Sequence, residues 1–203
     1  MDKLVLFGCG GHARSIVNTI LSDDKYIEVL LVDENAKKNE IILGCKVQKD
    51  YQLDIEDSYL VAIGNNKKRK EIYERLQEEK NGKNISVISK NASIGLEVTI
   101  GSGTFVAPNA YIGPQACIGN NTILNTSSVI EHEVTIGNHT HIAPNVTVCG
   151  RTKIGNEVFC GAGSTIIDDV YICDNVIIGA GAVVKENIEE AGIYAGVPAR
   201  KIK

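Results

Sequence analysis

The chain of 203 residues carries 21 basic and 25 acidic side chains, 43% hydrophobic residues, 20 glycines, six cysteines and no tryptophan, for a net charge of −4. This composition suits one or two water-soluble globular domains and lacks the single-sign basic field that nucleic acid or an anionic membrane surface requires. Residues 1–88 hold 29 of the charged side chains and residues 89–203 only 17, which predicts two domains, 1–87 and 88–203.

The first element is an apolar strand over Lys3–Phe7. Its apolar stretch is four residues long, follows a single lysine and runs into glycines, so neither a signal peptide nor a membrane span is expected and the chain reads as cytoplasmic. Next come Gly8-Cys9-Gly10-Gly11-His12-Ala13, a helix-period run over 15–21, and an apolar strand over 26–32 that ends at Asp33. Strand, glycine turn, helix, strand and acid make half of a doubly wound nucleotide fold. Gly8 and Gly10 permit close backbone approach, and the helix start offers free N–H groups to a phosphate.

Gly8, Gly10 and Ala13, with Asp33 twenty residues on, fit the dinucleotide fingerprint. However, a domain that stops near residue 88 has no second half for nicotinamide, so a mononucleotide or nucleotide-sugar is the better-sized ligand. A further strand over 59–63 runs into Gly64-Asn65-Asn66 and a helix start carrying Lys67, Lys68, Arg69 and Lys70. Cations there oppose the helix macrodipole. Arg69 is the one expected to meet a diphosphate, while a solvated helix face explains the lysines equally well.

From residue 88 to 184 one rule holds. Of the 17 positions reached by steps of six from Ile88, 16 are Ile, Leu or Val and the other is Cys160; four residues after the first 16 of them, from Ala92 to Ala182, stands Ala, Ser, Thr or Val. This is the hexapeptide repeat of a parallel β-helix. Three short strands and three corners make a coil of 18 residues, coils stack at about 4.8 Å, and residues i and i+18 lie one above the other.

The six cysteines form no C-x-x-C pair, and reduced thiols are expected. Histidine occurs four times: His12 in the glycine turn, and His132, His139 and His141 on the β-helix. The last three occupy the third, fourth and sixth places of their repeats and leave the prism at different angles, which argues against a metal site. His132 lies in Glu131-His132-Glu133. An imidazole there can act as general base, with a carboxylate fixing its tautomer, although an outward-facing histidine can also be merely solvated. One coil on is Gly150, which leaves room above the ring and a backbone N–H that can face an oxyanion. No cysteine is placed as an acyl nucleophile; Cys149, beside Gly150, is the one to check.

Four segments together resemble the sialic acid O-acetyltransferase and nucleotide-amino-sugar N-acetyltransferase group of the hexapeptide acyltransferases: G-C-G-G-H-A from Gly8, A-I-G-N-N-K-K-R-K from Ala62, N-T-S-S-V-I-E-H-E from Asn125 and A-G-V-P-A-R from Ala195. The resemblance implies a half-Rossmann nucleotide-sugar domain followed by a left-handed parallel β-helix, the hand resting on the resemblance alone. It also implies a homotrimer with active sites between neighbouring chains. In that frame His132 is the general base and Glu133 orients it. His141 lies near the acyl group and Gly150 donates to the thioester carbonyl. Ala162 and Ala180 line acetyl-CoA, with Pro198 and Arg200 near its nucleotide end. Gly8, Gly10, Gly11, His12, Asp33, Asn65 and Arg69 hold the nucleotide-sugar. The expected reaction is acetyl transfer to the amine of a nucleotide-linked, UDP-type amino-sugar in bacterial surface-glycan synthesis. O-acetylation of sialic acid is the alternative, and a nucleotide-binding scaffold without catalysis the reading from another class.

Overall fold

The computed structural model describes residues 3–23 and 28–203. The N-terminal region contains β1 (Lys3–Phe7), α1 (Gly11–Ser22), β2 (Glu28–Val32), β3 (Ile41–Ile42), β4 (Cys45–Gln48), β5 (Ser58–Val61), α2 (Asn66–Glu79) and β6 (Lys83–Asn84). The first two residues of the strand expected over 26–32 lie outside the described residues. The sheet order is β3-β4-β2-β1-β5-β6, parallel except for the β3–β4 hairpin. That hairpin escapes sequence patterning because its two-residue turn is Leu43-Gly44, with φ of 50° and 82°, where Asn-Gly is the usual signal.

β2 and β5 pair with opposite edges of β1, so the chain reverses its winding between the C-terminal ends of β1 and β5. Ligands of open α/β sheets bind at such a switch point. Gly8 sits there at φ 123°, and a Cβ on it would stand 2.8 Å from the Ala62 carbonyl oxygen; only glycine lets the turn pass.

From Val87–Ile88 onward the chain is a three-sided parallel β-solenoid. Its first face stacks Val87–Ile88, Phe105–Val106, Ile123–Leu124, His141–Ile142, Phe159–Cys160 and Val176–Ile178. The second face runs from Ser93–Ile94 to Val183–Val184, and the third from Thr99–Ile100 to Tyr171–Ile172. Between the strands of these three faces the register is i with i+18, as in Ile112 with Ile130 and Ile130 with Val148. The aliphatic column from Ile112 to Val184 is buried, and Cys160 occupies its place in it. At the fourth place of nearly every hexapeptide the backbone is left-handed, including Glu133 at φ 59° and His139 at φ 58°. The corner, more than the side chain, dictates that conformation.

The α/β domain packs on the first face: Val87, Phe105, Ala107 and Ile123 share an apolar cluster with Leu4, Leu6, Ile16 and Leu60. At the far end Gly192–Ala195 pairs with Val176–Ile178 and then with Arg200–Lys201, closing the solenoid.

Candidate functional site

Gly8, Gly10, Gly11, His12 and Asp33, with Ile63, Gly64 and Lys68, line a depression of about 260 Å³ at the switch point. Gly10 caps α1 without any side-chain hydrogen bond, and nothing lies within 4 Å of where a Cβ would stand on Gly10 or Gly11. The first turn of α1 thus borders the depression with free space at Gly10 and Gly11 and no side-chain cap, and a helix N-terminus left uncapped suits an anion. Asp33 is held by the Cys9 N–H at 3.1 Å and the Asn35 N–H at 3.0 Å. Burial pushes its carboxyl up, but these hydrogen bonds outweigh that and keep it below the usual carboxylate range. The depression continues into a second of about 420 Å³ that shares Gly8, Asp33, Ile63 and Lys68.

Arg69 requires a correction. It is 1% exposed and its guanidinium is spent on protein: Nε donates to Asn121 O at 3.0 Å, Nη1 to Ile63 O and Gly64 O, and Nη2 to His139 O at 2.7 Å, Thr140 O and Asn66 Oδ1. No donor is left for a diphosphate. Placed one helical turn into α2 on the face that meets the solenoid, this side chain bolts the two domains together. Burial pulls its pKa down to about 9. The cation that does face the glycine turn is Lys68, which reaches Glu34 at 3.5 Å. Lys70 is bound to Glu157 of the solenoid at 2.6 Å. Asn65 is the N-cap of α2, its side chain accepting from Lys68 N at 3.0 Å.

Three histidines meet at this junction. His12 stacks edge-on against Phe105, with ring centres 5.4 Å apart, and lies 6.2 Å from His141. Its Nε2 is sealed from solvent without a partner, and burial, followed by the charges of His141 and Arg69, pulls its pKa down to about 3. In His141, Nδ1–H donates to Gly64 O at 3.1 Å and Nε2 accepts from Asn125 Nδ2 at 3.3 Å; burial, then Arg69, takes it to about 4. His139 Nδ1 accepts from Asn121 at 2.8 Å. A groove of about 960 Å³ opens beside His141, floored by Phe159 and Ile177 and walled by Asn65 and Lys67. Phe159 has no motif of its own; its only sequence signal is that it stands 18 residues after His141.

His132 lies elsewhere. It occupies the corner between the second and third faces, which in a three-sided prism is opposite the face that carries the α/β domain. Its side chain is 43% exposed. Nδ1–H donates to Glu133 Oε2 at 3.0 Å, which fixes the tautomer and leaves the Nε2 lone pair free. The ring edge lies over Gly150: a Cβ there would be 2.6 Å from Nε2. The Gly150 N–H meets no acceptor among the described residues. Cys149 is half-buried, and burial with the Glu131 and Asp168 charges pushes its thiol up, making it a poor nucleophile. Among the described residues no three His, Cys, Asp or Glu side chains converge as metal ligands.

Ala162 and Ala180 are exposed and stacked one coil apart at the corner between the first and second faces, where Gly181 N donates to Ala162 O at 2.9 Å. Pro198 and Arg200 lie on the closing hairpin, exposed, with Arg200 3.9 Å from Glu186. Within one chain, then, the nucleotide-type depression, the Ala162 corner and His132 do not meet.

Comparison with known proteins agrees with this architecture. Residues 3–76 match the PglD N-terminal domain, and segments 97–132, 118–150 and 151–186 match the bacterial transferase hexapeptide family of six repeats. No curated protein sequence matches the chain. Among solved structures, the acetyltransferase domain of PglB from Neisseria gonorrhoeae FA1090 superposes with a TM-score of 0.93 at 25% identity, covering 100% of both chains. The same domain in complex with acetyl coenzyme A gives 0.90 at 26% identity, covering 99% of each. A histidine-to-asparagine variant of perosamine N-acetyltransferase from Caulobacter crescentus, in complex with CoA and GDP-perosamine, gives 0.91 at 26% identity over 100% of this chain and 98% of that one.

Proposed function

We propose that this chain, which joins a PglD-type N-terminal domain to transferase hexapeptide repeats, moves an acetyl group from acetyl-CoA to the amine of a nucleotide-linked amino-sugar, with UDP as the expected nucleotide by resemblance. The observation that carries this reading is His132, its Nδ1–H held by Glu133 and its Nε2 poised over a bare glycine on an exposed corner. His132 Nε2 takes a proton from the attacking amine. Glu133 stabilises the imidazolium that forms, and the Gly150 N–H faces the oxygen on which charge develops. Residues 1–87 supply the nucleotide cradle: Gly8, Gly10 and Gly11 with the α1 N-terminus for phosphate, Asp33 for the sugar hydroxyls, and Lys68 where Arg69 had been expected.

The acyl donor fits the Ala162–Ala180 corner because nothing fills it; a Cβ on Gly163 or Gly181 would meet nothing within 4 Å. Pro198 and Arg200 stand beyond, near the donor's nucleotide end. Since one chain keeps His132 opposite its own cradle, the working site takes His132 from one chain and the cradle and Ala162 corner from its neighbour in a trimer. The surface supports this. Segments 105–112, 123–130, 141–148, 159–166 and 177–184 contain no Asp, Glu, Lys or Arg, so the second face and its adjoining corner form an uncharged strip through five coils. Protein–protein interfaces are likewise depleted of charge at their cores.

The test is a panel of UDP-, GDP- and dTDP-linked amino-sugars with acetyl-CoA, read by thiol release and by mass gain of one acetyl group. Transfer to at least one member is expected. Acetylation of free sialic acid without any nucleoside diphosphate binding would replace this reading with O-acetylation.

A further inference from the structure

The His132 corner holds a charged pair that the proposed mechanism leaves unused. One coil past Gly150 the same corner position is Asp168. His132 Nε2, from the coil before, and Asp168 Oδ1, from the coil after, stand 2.6 and 3.0 Å from where a Cβ on Gly150 would be. Arg151 Nη2 donates to Asp168 Oδ2, whereas Oδ1 accepts from no group among the described residues.

A neighbouring corner shows how unusual this is. Along it, third-place residues use their side-chain oxygens to accept backbone N–H groups of the coil before: Asn138 Oδ1 from Asn120 N at 2.8 Å, Asn156 Oδ1 from Asn138 N at 2.8 Å, Asp174 Oδ1 from Asn156 N at 2.7 Å. Asp168 holds the same place in its hexapeptide as Asp174, yet its Oδ1 does not bond the Gly150 N–H. Arg151 holds the carboxylate by its other oxygen, leaving both the N–H and Oδ1 open. Stability does not explain the pair, because both side chains are about half exposed, at 51% and 48%, and such surface ion pairs contribute little.

We infer that Asp168 Oδ1 orients the acceptor amine and makes this corner select nitrogen over oxygen, with Arg151 as the positioning residue behind it. The inference rests on the acetyl-transfer reading. An amine entering over Gly150 offers two N–H groups to two acceptors. The proton on the His132 side passes to Nε2 as the nitrogen lone pair forms the bond to the acyl carbon. The C–S bond breaks, and the proton goes on to the departing sulfur. The second N–H stays on the product amide and on Asp168 throughout, so Asp168 exchanges no proton. A hydroxyl has one proton to give, which His132 needs; its oxygen lone pairs then face the carboxylate. Sites built around a substrate N–H reject analogues that lack it. Arg151 balances the charge, so the carboxylate does not oppose the oxygen at the Gly150 N–H.

The experiment compares UDP-, GDP- and dTDP-linked amino-sugars with the matching sugars that carry a hydroxyl in place of the amine. Asp168→Ala is expected to lower kcat/KM for the accepted amine by about 10- to 100-fold, with Asp168→Asn, which keeps an acceptor oxygen, losing less. Slow transfer to the hydroxyl sugars should be unchanged or faster, with Tm unchanged. Arg151→Ala should cost less than Asp168→Ala and add nothing to it. Equal losses on amine and hydroxyl acceptors, no loss at all, or full additivity of the two substitutions overturns the assignment while leaving acetyl transfer in place. A wild-type protein that acetylates no member of the panel overturns both.

Discussion

Two histidines nine residues apart on the same solenoid have opposite fates. His141 faces the docked α/β domain with both ring nitrogens occupied and its pKa near 4. His132 stands on the opposite corner with one nitrogen tied to Glu133 and the other free. The repeat places them three positions apart in phase, and that phase decides which becomes part of a junction and which stays available for proton transfer. The docked face is a place of fixed polar contacts and the far corner a place of open ones.

The strongest way to break that contrast is His132→Ala. Turnover should fall by about 10²- to 10⁴-fold, the usual contribution of a general base, at unchanged Tm; near-normal kcat would remove His132 from the mechanism. Glu133→Ala, acting only through the ring, should cost less.

On the docked face the expected effect is on folding. Arg69→Met takes the guanidinium from the Asn121, Ile63 and His139 carbonyls and Asn66 Oδ1, while Gly64 O and Thr140 O keep His141 Nδ1 and Ile123 N as donors, and about 3–5 kcal/mol of stability should be lost. Chemical denaturation measures this; a loss below about 1 kcal/mol contradicts the clamp.

His141 makes the same point through pH. Its pKa is 6.5 when unfolded and about 4 in the fold, so below pH 6.5 protons favour the unfolded chain. Stability that rests on the neutral ring is complete above that pH and is lost as pH falls towards 4, by about 3 kcal/mol. Tm measured from pH 7.5 to 4 should fall less steeply in His141→Asn; parallel curves would show that the ring does not carry the dependence.

Gly150→Ala sharpens the far corner. The new methyl would overlap the His132 ring, and displacing a base by about 1 Å can cost 10²-fold, with little change in Tm. Activity at wild-type level would mean that the ring is not used where it lies.

The smallest effect separates the two cations of α2. Lys68→Ala should leave stability unchanged but weaken UDP binding several-fold in low salt, with the difference fading at about 0.5 M salt. Calorimetry that finds equal affinity at low salt assigns the phosphate contact elsewhere.

How much of this was legible in advance depended on the range of the cause. The repeat, the glycine turn and the Glu131-His132-Glu133 cluster show in sequence because each is set by neighbours or by the fixed step of 18. Gly150 over His132 and Phe159 beside His141 follow from that step too. Arg69 could not be read in this way. In a helix start with four cations, only packing of α2 on the solenoid decides that the third is buried and the second faces the cradle. The sequence by itself determined the period, the coil and the residues that share each corner, because the β-helix converts position in the chain directly into position in space. Only the tertiary structure decided which face the α/β domain covers, and with it which polar groups are desolvated and spent on the junction and which remain free to react.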